Sequence, residues 1–274
     1  MKRLFSVLLF LLLLPSPVGA DDECVYLPVI MYHEVRPDKN GKDSILPEEF
    51  EADLKYLGES GYTSITMSRL IEYVYDGAPL PDRPVIISFD DGYLNNYIYA
   101  LPILKKYSSK AVLSVIAGAA DAFTEAGDEN PAYAHLSWPR LLEMRDSGLI
   151  ELQNHSYDMH KPGPRIGCCR MADETLTEFE NIFTADAARA QEALYRHTGA
   201  AASTFAYPYG LSSPGSDAIL EEMGFRASLS CDFGINRITP DPQCLFMLKR
   251  ICRSHGSELK ELLARAYQYS VSPS

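Results

Sequence analysis

An excess of positive charge is the first thing that this chain lacks. Its 274 residues include 25 lysines and arginines against 37 aspartates and glutamates, which gives a formal net charge of −12 at pH 7. Proteins that bind nucleic acids need a basic surface to contact the phosphates, so we expect no nucleic acid among the partners. The hydrophobic content of 46% and charged content of 23% are ordinary for a globular protein. They exclude a disordered chain, a collagen-like fibre and a long coiled coil.

Long apolar runs are also scarce. The main one, Leu4–Leu14, is shorter than the roughly 20 residues that a membrane-spanning helix needs. Basic residues precede it and the small residues Val18-Gly19-Ala20 follow it, which is the layout of a secretory signal. We therefore expect residues 1–20 to be a cleaved signal peptide, the alternative being a retained anchor. Residues 21–274 are then one domain, secreted or associated with the cell envelope, with no membrane span after cleavage.

Pairs of cysteines spaced as C-x-x-C are absent, although the chain holds six cysteines: Cys24, Cys168, Cys169, Cys231, Cys244 and Cys252. Structural zinc sites built from cysteine usually show that spacing. Export permits disulfides, but six cysteines allow fifteen pairings and the sequence does not choose among them. We expect disulfides or buried thiols here rather than a cysteine zinc site.

A glycine-rich dinucleotide-binding fingerprint is missing after the first apolar run, which disfavours a nucleotide-binding sheet. Short apolar runs instead alternate with amphipathic stretches along the chain. Leu27–Tyr32 and Pro84–Phe89 are predicted as buried strands, Glu174–His197 as a long helix and Phe246–Ile251 as a late strand. This rhythm of seven or eight strands and intervening helices predicts an α/β fold with a parallel sheet, open or closed into a barrel.

Polar side chains follow several of the predicted strands, where a parallel barrel carries its active site. They are His33 after the first strand, Asp90 and Asp91 after the second, His155 and His160 after a third, and Tyr209 after a fourth. Histidine and carboxylate ligands in this number are typical of a catalytic metal site that leaves a position open for water. The set therefore predicts metal-assisted hydrolysis.

Three segments resemble the motifs of a known family. Ser88–Gly92 reads Ser-Phe-Asp-Asp-Gly, His155–His160 reads His-Ser-Tyr-Asp-Met-His, and Phe205–Gly210 reads Phe-Ala-Tyr-Pro-Tyr-Gly. Together they resemble the NodB-like polysaccharide deacetylases, carbohydrate esterase family 4. The second motif and the Pro28–His33 opening look like the branch that acts on poly-β-1,6-N-acetylglucosamine. The resemblance, which covers most of the chain, implies a distorted (β/α) barrel of about seven parallel strands.

The resemblance also implies an activity, namely metal-dependent removal of acetyl groups from N-acetylglucosamine units of a glycan. By position, Asp90 is the general base, and Asp91, His155 and His160 are ligands of one divalent ion. Zinc is the first expectation for that ion, and cobalt or nickel also suits the donors. The backbone N–H of Tyr209 is expected to stabilise the oxyanion.

The sequence departs from the family pattern at two positions. Ala206 stands where the family usually has an arginine that orients the catalytic aspartate, and Lys249 or Arg250 is a candidate replacement. The late Leu-x-His motif, whose histidine protonates the leaving amine, is also missing. His33 is our candidate for that acid, and His255 is the alternative.

Tyr157, Tyr207 and Pro208 are predicted to contact the sugar, and for the two tyrosines the reason is that aromatic rings can stack on sugar rings. Two other functions remain open on the same fold. One is a glycan-binding module with a relic metal site, and the other is an esterase that removes O-acetyl groups. The sequence does not name the polymer, its linkage or the oligomeric state.

Overall fold

The computed structural model describes residues 24–38, 41 and 43–271. The predicted signal peptide lies outside the described residues, so its presence and cleavage stay predictions. Within the described part of the chain, no helix is both long and apolar enough to cross a membrane.

Most strands of the molecule are short and buried. In chain order they are β1 Val25–Leu27, β2 Val29–Tyr32, β3 Glu34–Val35, β4 Ser44–Ile45, β5 Thr63–Ser64, β6 Pro84–Phe89, β7 Ala111–Val115, β8 Ile150–Asn154, β9 Thr204–Ala206, β10 Ala227–Leu229, β11 Asn236–Ile238 and β12 Ile251–Cys252.

The helices fill the connections between these strands. They are α1 Pro47–Glu59, α2 Met67–Asp76, α3 Leu101–Tyr107, α4 Ala117–Ala126, α5 Trp138–Asp146, α6 Leu176–Thr198, α7 Ser216–Glu222 and α8 Leu259–Val271. The long helix α6 shows how the sequence sets such bounds. Its N-cap Thr175 and Glu178 form a reciprocal capping box, and Gly199 ends it in the left-handed conformation.

Seven parallel strands form the main sheet, in the order β10-β9-β8-β7-β6-β2-β12, and β5 adds to β6 beside them. The sheet curls into a partly closed barrel with the helices around it. This confirms the expected distorted (β/α) barrel of about seven parallel strands. Consecutive residues of one strand pack into different apolar clusters on the two faces of the sheet. Ile30 and Phe205 belong to one cluster, and their neighbours Val29 and Ala206 belong to the other. Both faces of the sheet are therefore buried, as parallel sheets require.

One segment near the C-terminus closes the curl of the sheet. Leu248 forms a parallel bridge with Leu229 of β10, and a few residues later β12 pairs with β2. The segment 248–252 therefore contacts β10, at one edge of the main sheet, and β2, near the other edge.

Two sequence expectations about strands are wrong in detail. The predicted strand Leu27–Tyr32 is split at Pro28, because its first part pairs antiparallel with β11 and its second part pairs parallel with β6. The predicted strand Phe246–Ile251 is only a bridge until β12 begins at Ile251. Met247 lies at φ 57°, and this left-handed residue breaks the extended run.

The six cysteines are all free thiols in this structure, with Cys168 buried and Cys231 exposed. No disulfide connects them here, and of the two alternatives expected from the sequence, disulfides or buried thiols, the second fits Cys168 alone. Cys168 and Cys169, although adjacent, make separate contacts, with Met159 Sδ at 3.7 Å and the Ser212 carbonyl at 3.7 Å respectively.

Candidate metal and catalytic site

The carboxyl ends of four barrel strands meet around one cavity of about 270 Å³. The catalytic and ligand residues predicted from the sequence all line it: His33, Asp90, Asp91, His155, His160 and Tyr209. Larger clefts of about 620, 630 and 890 Å³ on the described surface hold neither of the histidine-containing groups that are arranged to bind a metal ion. The small cavity is therefore the candidate site.

Asp91, His155 and His160 bring their ligand atoms together at the base of the cavity. Oδ1 of Asp91 lies 3.3 Å from Nε2 of each histidine. The Nδ1 atom of His155 lies 2.7 Å from the carbonyl of Ala206. A carbonyl only accepts hydrogen bonds, so Nδ1 carries the proton and Nε2 presents a lone pair to the cavity.

These atoms fit a divalent cation. Within the described residues, the buried Oδ1 of Asp91 has no hydrogen-bond partner, and such an orphaned acceptor is costly. A carboxylate and two imidazoles are donors that zinc and related ions prefer. Burial opposes the charge on Asp91, but the neighbouring His155 and His160 outweigh it and hold the pKa of Asp91 well below its usual range.

Asp90 lies next to this set and is fixed by an arginine from the barrel-closing segment. The guanidinium of Arg250 makes two parallel contacts with its carboxylate, at 2.9 Å and 2.8 Å. Both side chains are fully buried. Burial opposes the charge on Asp90, but Arg250 and His155 together lower its pKa. Of the two replacements considered for the arginine of the family, Arg250 reaches Asp90, whereas Lys249 is exposed.

The turn that carries Asp91 is strained and is supported by a residue that the sequence did not reveal. Asp91 has φ 69° and Gly92 has φ 74°, a left-handed region that is uncommon outside glycine, asparagine and aspartate. Nδ1 of His135 lies 2.9 Å from the backbone carbonyl of Asp91 and donates to it. The His135 ring also stacks on Tyr93, with 4.6 Å between centroids. A hydrogen bond from a side chain to a distant backbone carbonyl leaves no spacing pattern in the sequence.

Tyr209 lines the cavity beside His160, in a short 3-10 turn over Pro208–Gly210. Its φ is 59°, and its ring stacks on that of His160 with 4.2 Å between centroids. Gly210 follows at φ 68°, where a Cβ atom would come within 2.4 Å of Cβ of Cys231. A side chain at Gly210 would therefore displace the turn that aims the Tyr209 backbone.

The two candidate acids occupy different places. His33 is half-buried and lines the cavity, and its backbone carbonyl accepts a hydrogen bond of 2.9 Å from Asn96. Nδ1 of His255 lies 2.7 Å from Glu49 on α1, and His255 is not among the cavity-lining residues. The geometry favours His33.

None of the three residues predicted to contact the sugar lines this cavity, and their contacts with the sugar stay predictions. Tyr207 is completely buried and its hydroxyl donates to Asp217 at 2.8 Å. Pro208 is also buried. The Tyr157 hydroxyl donates to Asp121 at 2.7 Å.

Four polar lining residues were not singled out from the sequence as site residues. They are Glu34, Asp43, Tyr93 and Cys231. Each comes from a loop or from a segment beside a strand end, where no motif marks it.

Comparisons with known proteins agree with this geometry. The family model for polysaccharide deacetylase matches residues 77–228, more than half of the chain. The poly-β-1,6-N-acetyl-D-glucosamine N-deacetylase of Escherichia coli (strain K12) is 25% identical over 239 residues, covering 80% of this chain and 34% of that protein. The enzyme of the same name from Staphylococcus aureus (strain MRSA252) is 27% identical over 190 residues, covering 69% of this chain and 61% of that protein. The chain thus spans less than two thirds of either relative.

Among solved structures, IcaB from Ammonifex degensii superposes with a TM-score of 0.69 at 31% identity, covering 82% of this chain and 91% of that one. The fold, the strand-end placement of the motifs and the family match all agree, and we conclude that this chain belongs to the polysaccharide deacetylase family.

Proposed function

We propose that this protein is a metal-dependent N-deacetylase that hydrolyses the acetamide of N-acetylglucosamine units in a polysaccharide and releases acetate. One observation carries the proposal: Asp91, His155 and His160 converge on a buried, unpartnered carboxylate oxygen beside the arginine-held Asp90. The names of the E. coli and S. aureus relatives support poly-β-1,6-N-acetylglucosamine as the polymer.

Asp91, His155 and His160 are the residues that would hold the ion. A zinc-type ion held there supplies a water of lowered pKa and polarises a carbonyl oxygen. Cobalt and nickel suit the same donors.

Asp90 is the base in this proposal. Its low pKa keeps it as a carboxylate at neutral pH, and a carboxylate in hydrogen-bond reach of the attacking water accepts its proton. Arg250 does not react. It holds the carboxylate in one orientation through two parallel contacts, the geometry in which arginine fixes a carboxylate most firmly.

The other two residues act on the substrate as its charge changes. The Tyr209 backbone N–H, in its left-handed turn on the cavity rim, donates to the oxygen that becomes negative during attack. His33 lines the cavity from the end of β2 and delivers a proton to the leaving amine. The cavity, at about 270 Å³, is at the small end of ligand pockets and suits one sugar unit of a polymer.

Secretion and the domain limits form part of the proposal. A leader at residues 1–20 and one deacetylase domain over 21–274 place the enzyme outside the cytoplasm, where its polymer lies. N-terminal sequencing of protein recovered from the expression host tests this. A mature chain that begins at residue 21 is expected, and one that still begins at Met1 contradicts cleavage.

The test of the activity is acetate release from β-1,6-linked N-acetylglucosamine oligomers and from chitin oligomers. Protein stripped of metal and then resupplied with zinc, cobalt or nickel is the enzyme. We expect metal-dependent acetate, with more from the β-1,6-linked oligomers. Acetate from O-acetylated sugars alone would identify an esterase instead. No acetate from any substrate, with metal bound, would identify a glycan-binding module.

A further inference from the structure

We propose that His33, Asp43 and Cys252 form a second metal site at the edge of the same cavity, and that a zinc ion bound there inhibits the enzyme. Each of these residues offers one ligand atom, and the three atoms lie within 4.8 Å of one another. None of them belongs to the Asp91, His155 and His160 set.

The backbone brings His33 and Asp43 together. Strands β3 and β4 are parallel and Glu34 pairs with Ser44, so the residues directly before them, His33 and Asp43, are neighbours. The amide of Glu34 donates to the Asp43 carbonyl at 3.4 Å. Both residues line the cavity.

A second strand pairing places Cys252 near His33. Strand β12 pairs with β2 in parallel, with Cys252 opposite Met31. His33 is two residues beyond Met31, and residues two apart on an extended chain point to the same side. The β3–β4 pairing and the β12–β2 pairing therefore bring the three side chains together.

The three side chains are available to an ion. The thiol of Cys252 is half-buried, and its recorded hydroxyl contact, Ser254 Oγ, is at 3.9 Å. The ring of His33 and the carboxylate of Asp43 make no hydrogen bond or ion pair with any other described residue. A thiolate, an imidazole and a carboxylate are all established zinc ligands, and three of them leave one position for water.

The sulfur distinguishes this group from the first one. Asp91, His155 and His160 offer only nitrogen and oxygen, whereas Cys252 offers a soft donor that favours zinc over magnesium or calcium. The sulfur also gives the second site a spectroscopic signature of its own, because cobalt bound to a thiolate absorbs by charge transfer.

The inhibitory consequence rests on the proposed function, whereas the binding does not. In that function His33 carries a proton to the leaving amine. An ion on the imidazole occupies the lone pair that the proton needs, and it also fills space in a small cavity. We therefore expect the first equivalent of zinc to activate the enzyme and excess zinc to inhibit it. A general acid contributes about 100-fold or more, and a loss of about that size is expected at saturation.

Binding is tested by titrating the metal-free full chain with cobalt alone, followed by absorption and equilibrium dialysis. We expect two bound ions per chain and a thiolate-to-cobalt band that grows with the weaker ion. Cys252→Ser should bind one ion and lose the band. Cys244→Ser is the matched control, because this half-buried thiol contacts the Thr239 carbonyl at 3.5 Å and belongs to neither group of potential metal ligands. Its titration should equal that of the wild type.

One ion per wild-type chain, or a band that persists in Cys252→Ser, would overturn the site. Inhibition is tested separately by acetate release over a zinc titration. We expect excess zinc to inhibit the wild type and Cys244→Ser but not Cys252→Ser, with equal activity at one equivalent. Equal inhibition of all three would overturn the inhibitory role. A Cys252-dependent cobalt band in a protein that releases no acetate would refute the proposed function and leave the second site standing.

Discussion

Two buried aspartate–arginine pairs lie close together in this molecule and behave differently. Arg250 holds Asp90 in the cavity, and Arg253, three residues later, holds Asp53 of α1 at 2.7 Å. The pKa of Asp90 is lowered, whereas the pKa of Asp53 is raised to about 6. The same two residue types therefore produce opposite shifts.

The difference lies in what else surrounds each carboxylate. Burial raises the pKa of both, but at Asp90 the charges of Arg250, His155 and His33 act together against it. At Asp53 burial outweighs the single cation Arg253 and the hydroxyl of Tyr32, which donates at 3.1 Å. A buried arginine alone does not guarantee an ionised partner. At Asp90 the neighbouring histidines add to the effect of the arginine.

The largest expected effect is a difference in kcat between the Asp90 and Asp53 variants. Asp90→Asn should lower kcat by about 10³–10⁴-fold, because the amide does not accept the proton of the attacking water. Asp53→Asn, the same change in the other pair, should leave kcat within a few-fold. Acetate release measures both, and metal content by dialysis should stay at the wild-type value. Equal losses in both variants would remove Asp90 from the chemistry.

The second-largest expected effect concerns His33, one of the histidines that act on Asp90. His33→Gln should lower kcat on N-acetylglucosamine oligomers by about 100-fold. The loss should be much smaller on a nitrophenyl acetate, because that leaving group needs no proton. His255→Gln is the control, since His255 pairs with Glu49 outside the cavity lining. A similar loss on both substrates would point to a structural role instead of acid catalysis.

A smaller effect compares the two arginines. Arg250→Lys should lower kcat by about tenfold, because lysine keeps the charge but loses the two parallel contacts, and a hydrogen bond to a charged group is worth about 1.5–3 kcal/mol. KM should hardly change. Arg253→Lys should lower the free energy of unfolding by a similar amount and leave kcat intact. Urea unfolding and acetate release on each variant give the comparison, and a kcat loss for Arg253→Lys would contradict it.

The smallest effect concerns stability against pH. Because the folded-state pKa of Asp53 is about 6, above its unfolded value of about 3.9, the folded protein binds this proton more tightly. Asp53 therefore adds stability below about pH 4, and this contribution falls as the pH rises to about 6. Asp90, with a lowered pKa, contributes with the opposite sign. The fall between pH 4 and 6 should be absent in Asp53→Asn, and an unchanged slope in urea unfolding would contradict the assignment.

The sequence selected the three candidate metal ligands that the structure brings together, but it did not select most of the residues around them. Asp91, His155 and His160 follow apolar runs, and strand ends meet in any parallel barrel. Arg250 was left as one of two neighbours, because the left-handed Met247 breaks the alternation that would have assigned its face. His135 was missed because it binds a backbone carbonyl.

The burial of the Tyr207 side chain has a general cause. Phe205 and Tyr207 are two residues apart and point into the same apolar cluster, whereas Ala206 between them points to the other face. Membership in a motif places a residue along the chain but does not say which face of the strand its side chain occupies.

The barrel-closing segment gives the enzyme an order of assembly. Arg250 lies 160 positions after the aspartate that it holds, whereas the three proposed metal ligands are complete by residue 160. The three proposed metal ligands are therefore synthesised before Arg250. Until the last strand docks, Asp90 has no guanidinium beside it and the edges of the sheet stay unjoined. Asp90 acquires the arginine contact that fixes its carboxylate only when the barrel closes, so a chain truncated before residue 250 lacks that contact.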